Sequence, residues 1–230
     1  MSLHGDHALV ILDCDGVMFD SYDANVAFYD AILAALDLPP LDETGRDHAH
    51  SLATPQILEW LFASDPARLE EATRVAKEID YRPFLPKLRP VPELFETLGW
   101  LRSRYHTAMA TNRGGTIPML VEHFSLDEWF DVVVGIHDVP RPKPAPDMLL
   151  HCLERLGVEP SAALYVGDSP TDLEAAEAAG IPFVAVGESI AHPRRIPELR
   201  ELRALLAAAK SARRGGSPRA QRAAERKRAG

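Results

Sequence analysis

The chain has 230 residues, 46% hydrophobic and 26% charged, which suits one large α/β domain or a core domain with a smaller companion and excludes a disordered or fibrous class. Its net charge of −9 hides an asymmetry: residues 201–230 hold nine Lys/Arg against two Glu, a net +7, which leaves −16 on the rest, and an acidic body argues against a nucleic-acid partner. No apolar run approaches the ~18 residues that cross a bilayer, and the opening MSLHGDHALVILDCDG lacks the basic and long apolar regions of a signal peptide, so a cytoplasmic protein without a membrane partner is expected.

Residues 8–12 (ALVIL) form a short apolar run ending at an acidic turn, which predicts a buried parallel strand. Apolar residues at helical spacing (Val26, Phe28, Tyr29, Ile32, Leu33, Leu36) predict a helix over 23–36. Residues 41–54 (LDETGRDHAHSLAT) are expected to form a polar loop. A second helix is predicted over 54–63, with Thr54 as cap and Pro55 in the first helical position, and a third over 66–80, capped by Asp65. The stretch YRPFLPKLRPVP has four prolines and suits a hinge. Beyond it, strands predicted at 106–110, 131–135, 162–166 and 181–186 alternate with helices at 92–104, 115–124, 146–156, 170–179 and 197–209.

This alternation predicts an α/β fold, a Rossmann-like parallel sheet with helices on both faces. The first strand is separated from the others by an all-helical stretch, so the expected core is discontinuous, 1–19 with 89–210. Residues 20–88 form an inserted small helical cap, and 211–230 a basic tail, expected to be solvated rather than to bind a partner. The two cysteines, Cys14 and Cys152, form no CxxC pair, so neither a disulfide framework nor zinc chemistry is expected.

Four predicted strands run straight into polar clusters, and the carboxyl ends of parallel strands are where such sheets place a site. The first cluster is Asp13-Cys14-Asp15-Gly16. Two carboxylates this close repel unless a cation or proton is shared, and Mg²⁺ takes oxygen ligands; a solvated acidic turn is the alternative. An aspartate can also attack phosphorus while a second one moves the leaving proton. The second, Thr111-Asn112-Arg113-Gly114, offers either an anion site at a helix start or plain capping. In the third, Pro142-Lys143-Pro144, flanking prolines fix where the ammonium points, to offset negative charge or simply to lie in solvent. The fourth, Gly167-Asp168-Ser169-Pro170-Thr171-Asp172, reads as a metal carboxylate with a supporting acid one turn on, or as a helix cap at Ser169.

In this order and on these predicted strands, the clusters resemble the haloacid dehalogenase superfamily, and within it the capped, phosphoglycolate-phosphatase-like group, from VILDCDGVMFDS to LYVGDSPTDLEAAEAAGI. The resemblance implies a Mg²⁺-dependent phosphatase that hydrolyses a small-molecule phosphate monoester, phosphoglycolate- or sugar-phosphate-like, through an aspartyl-phosphate. It implies Asp13 as nucleophile and metal ligand, Asp15 as general acid/base with its backbone carbonyl on the metal, and Thr111 and Asn112 as phosphoryl binders. Lys143 becomes the charge-neutralising lysine, Asp168 the remaining metal carboxylate and Asp172 its support. Arg46, His48 and His50 are the candidates for substrate specificity in the cap. A sugar phosphomutase and a non-catalytic phospho-ligand-binding regulator are the alternatives. Asn25, where mutases of this group often carry His, weakens the first, and the intact motif carboxylates weaken the second.

Overall fold

A computed structural model of the chain describes residues 7–215, the side chains of 50–51 and 212–215 excepted. Its centre is β1 (Leu9–Leu12), four consecutive residues with no exposure. Five further strands lie parallel with it: β4 (His106–Ala110), β5 (Val132–Val134), β6 (Ala163–Gly167), β7 (Phe183–Val186) and β8 (Arg195–Ile196), in the order β5-β4-β1-β6-β7-β8. Leu9 pairs with His106 on one side and Ala163 on the other, and Leu12 with Met109 and Val166.

The alternation of side chains along a strand divides the core into two layers. Val10, Leu12, Leu164 and Val166 face α5 (Leu94–Arg102), α6 (Ile117–Phe124) and α9 (Leu202–Gly215). Leu9, Ile11, Ala163 and Tyr165 face α7 (Asp147–Leu156) and α8 (Pro170–Ala179). Alanines 175, 176 and 179 let α8 lie close against the sheet.

Between β2 (Phe19–Asp20) and β3 (Arg89–Pro90) the chain is wholly helical: α1 (Tyr22–Ala35), α2 (Glu43–Ser51), α3 (Thr54–Leu61), α4 (Pro66–Glu78) and a 3-10 turn at Arg82–Lys87. β2 and β3 pair antiparallel, Phe19 opposite Pro90, so the entry and exit of the insert are tied together. Its apolar residues are continuous with one layer of the core, and Phe19 stacks at a tilt on Phe124 with ring centres 4.6 Å apart.

Three expectations need correcting. The 41–54 segment is not a loop: α2 occupies most of it, begun by the Asp42 carboxylate accepting from Gly45 N at 2.8 Å. Only Gly45 and Ala49 of this short helix are buried among its described side chains, which is why no apolar periodicity betrayed it. At the start of α3 it is Gln56 Oε1 that accepts from Ala53 N at 3.0 Å, while the Thr54 hydroxyl turns to Tyr29 Oη at 3.1 Å. The last helix runs on to Gly215, past the expected end of the core; the tail beyond it lies outside the described residues. Asp65 does cap α4, accepting from Arg68 N at 3.1 Å. Among the described residues no helix is long and apolar enough to cross a membrane.

Candidate active site

Because β1 lies between β4 and β6, the carboxyl ends of these strands deliver Asp13, Thr111 and Asp168 to one crevice. The turn after β1 is tight. Gly16 has φ +74°, and a Cβ there would lie 2.0 Å from Asp168 Oδ2, so only glycine lets the two loops meet.

Lys143 comes from the loop after β5 and is almost wholly buried, with side-chain exposure of 3%. Its Nζ lies 2.8 Å from Asp13 Oδ1, 2.7 Å from Asp172 Oδ1, 3.0 Å from Tyr165 Oη and 3.1 Å from Ala110 O. Asn112 anchors the backbone beneath it: its Oδ1 accepts from Lys143 N at 3.0 Å and its Nδ2 donates to Lys143 O at 3.1 Å. The Asn112 amide therefore positions the lysine. Thr111 Oγ1 accepts from Arg113 N at 3.1 Å.

Asp172, on the first turn of α8, has both oxygens engaged. Oδ1 takes Lys143 and the Tyr165 hydroxyl (2.6 Å), and Oδ2 takes the Ser169 hydroxyl (2.6 Å) with the backbone N–H groups of Asp168 and Ser169. Burial pushes this carboxyl up, but Lys143, Ser169 and Tyr165 outweigh it and hold it below the usual carboxylate range. Asp13 is different. Burial raises it, Lys143 opposes, and the charges of Asp172, Asp168 and Asp15 leave it well above its ordinary value. Asp168 is pushed up to about 7, by burial first and then by Asp172.

Carboxylate oxygens of Asp13, Asp168 and Asp172 lie within 4.8 Å of one another. With Asp172 already saturated, Asp13 and Asp168 are left to offer oxygens, and a hard divalent cation fits such a set: it offsets the burial and the mutual repulsion that together hold both carboxyls high.

Asp15 turns away from this group into a two-point pair with Arg113, Nη2 to Oδ1 at 2.6 Å and Nε to Oδ2 at 2.8 Å. Arg113 also donates to Tyr81 Oη (3.1 Å) and Asn25 Oδ1 (3.3 Å), so one guanidinium joins the crevice to the helical insert. Asp13, Asp15, Arg113, Lys143 and Asp168 line a cavity of about 590 Å³ between insert and sheet.

The family model of the haloacid dehalogenase-like hydrolases matches residues 10–186. The chain belongs to that family. It is similar to the phosphoglycolate phosphatase of Escherichia coli strain K12, 30% identical over 201 residues, which is 77% of this chain and 80% of the relative. It is also similar to phosphoglycolate phosphatase 1 of Pseudomonas aeruginosa, at 31% identity over 83% of this chain and 73% of the relative. Among solved structures, a haloacid dehalogenase-superfamily hydrolase of subfamily IA from Geobacter sulfurreducens superposes with a TM-score of 0.72 at 40% identity, covering 90% of this chain and all of that one. CbbY from Rhodobacter sphaeroides, in complex with phosphate, shares the fold, with a TM-score of 0.74 at 20% identity over 85% of this chain and 96% of that one. This haloacid dehalogenase-like hydrolase is thus an enzyme, of the phosphoric monoester hydrolase kind.

Within the family framework, the crevice brings together Asp13, Asp15, Thr111, Asn112, Lys143, Asp168 and Asp172. Two of the three specificity candidates, Arg46 and His48, are not gathered there. Arg46 is exposed and donates from Nε to Leu41 O, and His48 stacks on Trp60 with ring centres 4.2 Å apart; neither lines the cavity. The His50 side chain lies outside the described residues. The reason is α2, which as a helix carries the Arg46 and His48 side chains off the wall that a loop was expected to present. Three residues were not predicted as site members: Arg113, Tyr81 and Tyr165. Arg113 stood inside the second cluster, but its partner Asp15 is 98 residues away, and no local pattern links them. Tyr165 is the polar exception on the Ala163-Tyr165 face of β6, a signal that was there to be used.

Proposed function

We propose that the chain is a Mg²⁺-dependent phosphatase that transfers the phosphoryl group of a small-molecule phosphate monoester to Asp13 and then to water. The observation that carries this reading is the Lys143–Asp13 contact of 2.8 Å at the floor of the cavity. A carboxylate held by a buried ammonium, with a second carboxylate on the ammonium's other side, is fixed in direction and kept from repelling an incoming phosphate.

Asp13 is the nucleophile. Asp13 and Asp168, with the backbone carbonyl of Asp15, would hold Mg²⁺, which would supply charge neutralisation for the transferring oxygens. Lys143 shares that task. Thr111 contributes its hydroxyl to the phosphoryl pocket, and Asn112 acts by anchoring Lys143. Asp15 protonates the leaving oxygen and takes a proton from the water that splits the acyl-phosphate. Arg113, held in its two-point pair with Asp15, is a positioning residue whose other contacts, Tyr81 and Asn25, are on the insert. The helical insert serves as the cap over the leaving group.

Release of inorganic phosphate from p-nitrophenyl phosphate tests this. Turnover with Mg²⁺ that stops with a chelator and returns with the metal is expected. An inert protein under every divalent cation contradicts it and favours a phospho-ligand binder. The relatives' name makes phosphoglycolate the first natural ester to assay; a requirement for a bisphosphate activator, without net phosphate release, favours a mutase.

A further inference from the structure

We infer that the leaving group of the substrate carries an apolar body, an alkyl or aryl group of several carbons, seated against the helical insert. This rests on the phosphatase reading above and specifies its substrate class. The cavity of about 590 Å³ lies within the range of roughly 300–1,000 Å³ that encloses drug-sized ligands. Its floor holds the carboxylates and Lys143. Facing them, the wall is built of Phe28, Leu52, Leu58, Leu69, Ile79 and Met119, from α1, the α2–α3 junction, α3, α4 and the segment after it, and α6.

The uncharged polar groups of that wall are engaged with one another, with backbone or with Arg113. Tyr29 Oη and Thr54 Oγ1 share a hydrogen bond of 3.1 Å, and Thr73 Oγ1 donates to Leu69 O at 2.7 Å. Among the described residues the charged side chains that the insert gives the wall are Glu59 and Lys77, both exposed. Arg113 is the buried cation nearest the insert, and Asp15, Tyr81 and Asn25 engage its Nε, Nη1 and Nη2. A compact anionic leaving group such as glycolate therefore meets no uncommitted buried cation and leaves most of the chamber to water. An apolar body displaces that water from surfaces that bind it poorly.

The test is kcat/KM for a series of n-alkyl phosphates from ethyl to octyl, with phosphoglycolate alongside and p-nitrophenyl phosphate as the measure of phosphatase competence. The expected result is a rise of up to about fourfold per methylene while the chamber fills, at least about tenfold from ethyl to hexyl, carried by KM. Hexyl phosphate is then a better substrate than phosphoglycolate. Leu69→Gln, at a half-buried wall position, is expected to flatten the slope. A flat or falling series, or phosphoglycolate ahead of hexyl phosphate, overturns the inference while p-nitrophenyl phosphate turnover leaves the phosphatase reading standing. No turnover of any ester sinks both.

Discussion

At the scale of single residues the crevice is a charge problem solved unevenly. Asp172 is the satisfied acid, and it stabilises Lys143, which in turn restrains Asp13. Asp13 remains raised, and a carboxyl raised in the fold stabilises it in acid and loses that contribution as pH climbs through the folded value. An isosteric amide removes the penalty. Asp13→Asn is therefore expected to abolish turnover, by at least about a thousandfold for a nucleophile. In chelator at neutral pH its Tm should equal or exceed that of the wild type, the difference shrinking as pH falls. Calorimetry across pH checks this; a variant that unfolds earlier than wild type at neutral pH would mean that Asp13 is a net structural support. The thiols give a second expectation. Burial pushes Cys152 up to about 12 and Cys14 well above its usual range, so both stay protonated. Neither should be alkylated by iodoacetamide in the folded protein, and mass spectrometry before and after unfolding reads this directly.

At the scale of elements, the loop after β5 has to carry Lys143 across to strands β4 and β1, and Asn112 is its fastener. Asn112→Ala removes two hydrogen bonds to the Lys143 backbone without touching the ammonium. Turnover is expected to drop about tenfold to a hundredfold, as it does when a catalytic group is misplaced by about an ångström, with KM changed less than kcat. An unchanged kcat would place the anchoring elsewhere. Much at this scale was legible in advance. Buried parallel strands announce themselves as apolar runs, so β1, β4, β5, β6 and β7 and the helices between them followed from composition and spacing. What escaped has a common cause. α2 rests on one local cap and few buried residues, and β2, β3 and β8 are two residues long and exist only through their partners. The Arg113–Asp15 pair likewise depends on a contact between distant segments, so the anchoring role of Asn112 and the engagement of Asp15 came from coordinates while the identities of the acidic residues and the lysine came from the sequence.

At the scale of the whole molecule, sheet and insert share one apolar layer yet enclose a large cavity, and the polar joints between them converge on Arg113. The crevice gathers more acidic than basic charge, and a ligand that binds only the folded state and relieves it stabilises the entire fold. Mg²⁺ at a hundred times its Kd should add about 2.7 kcal/mol, seen as a rise in Tm that Asp168→Asn diminishes; a Tm indifferent to the metal would argue against a divalent site at Asp13 and Asp168. The central claim, that Asp13 accepts the phosphoryl group, is tested most directly by acid-quenching the enzyme during turnover of p-nitrophenyl phosphate with Mg²⁺ and mapping the peptide that carries phosphate. The account predicts a hydroxylamine-labile phosphoryl group on the peptide containing Asp13, absent from Asp13→Asn. A turning-over enzyme that carries its phosphoryl group on another residue, or a mapped label that survives in Asp13→Asn, would contradict it.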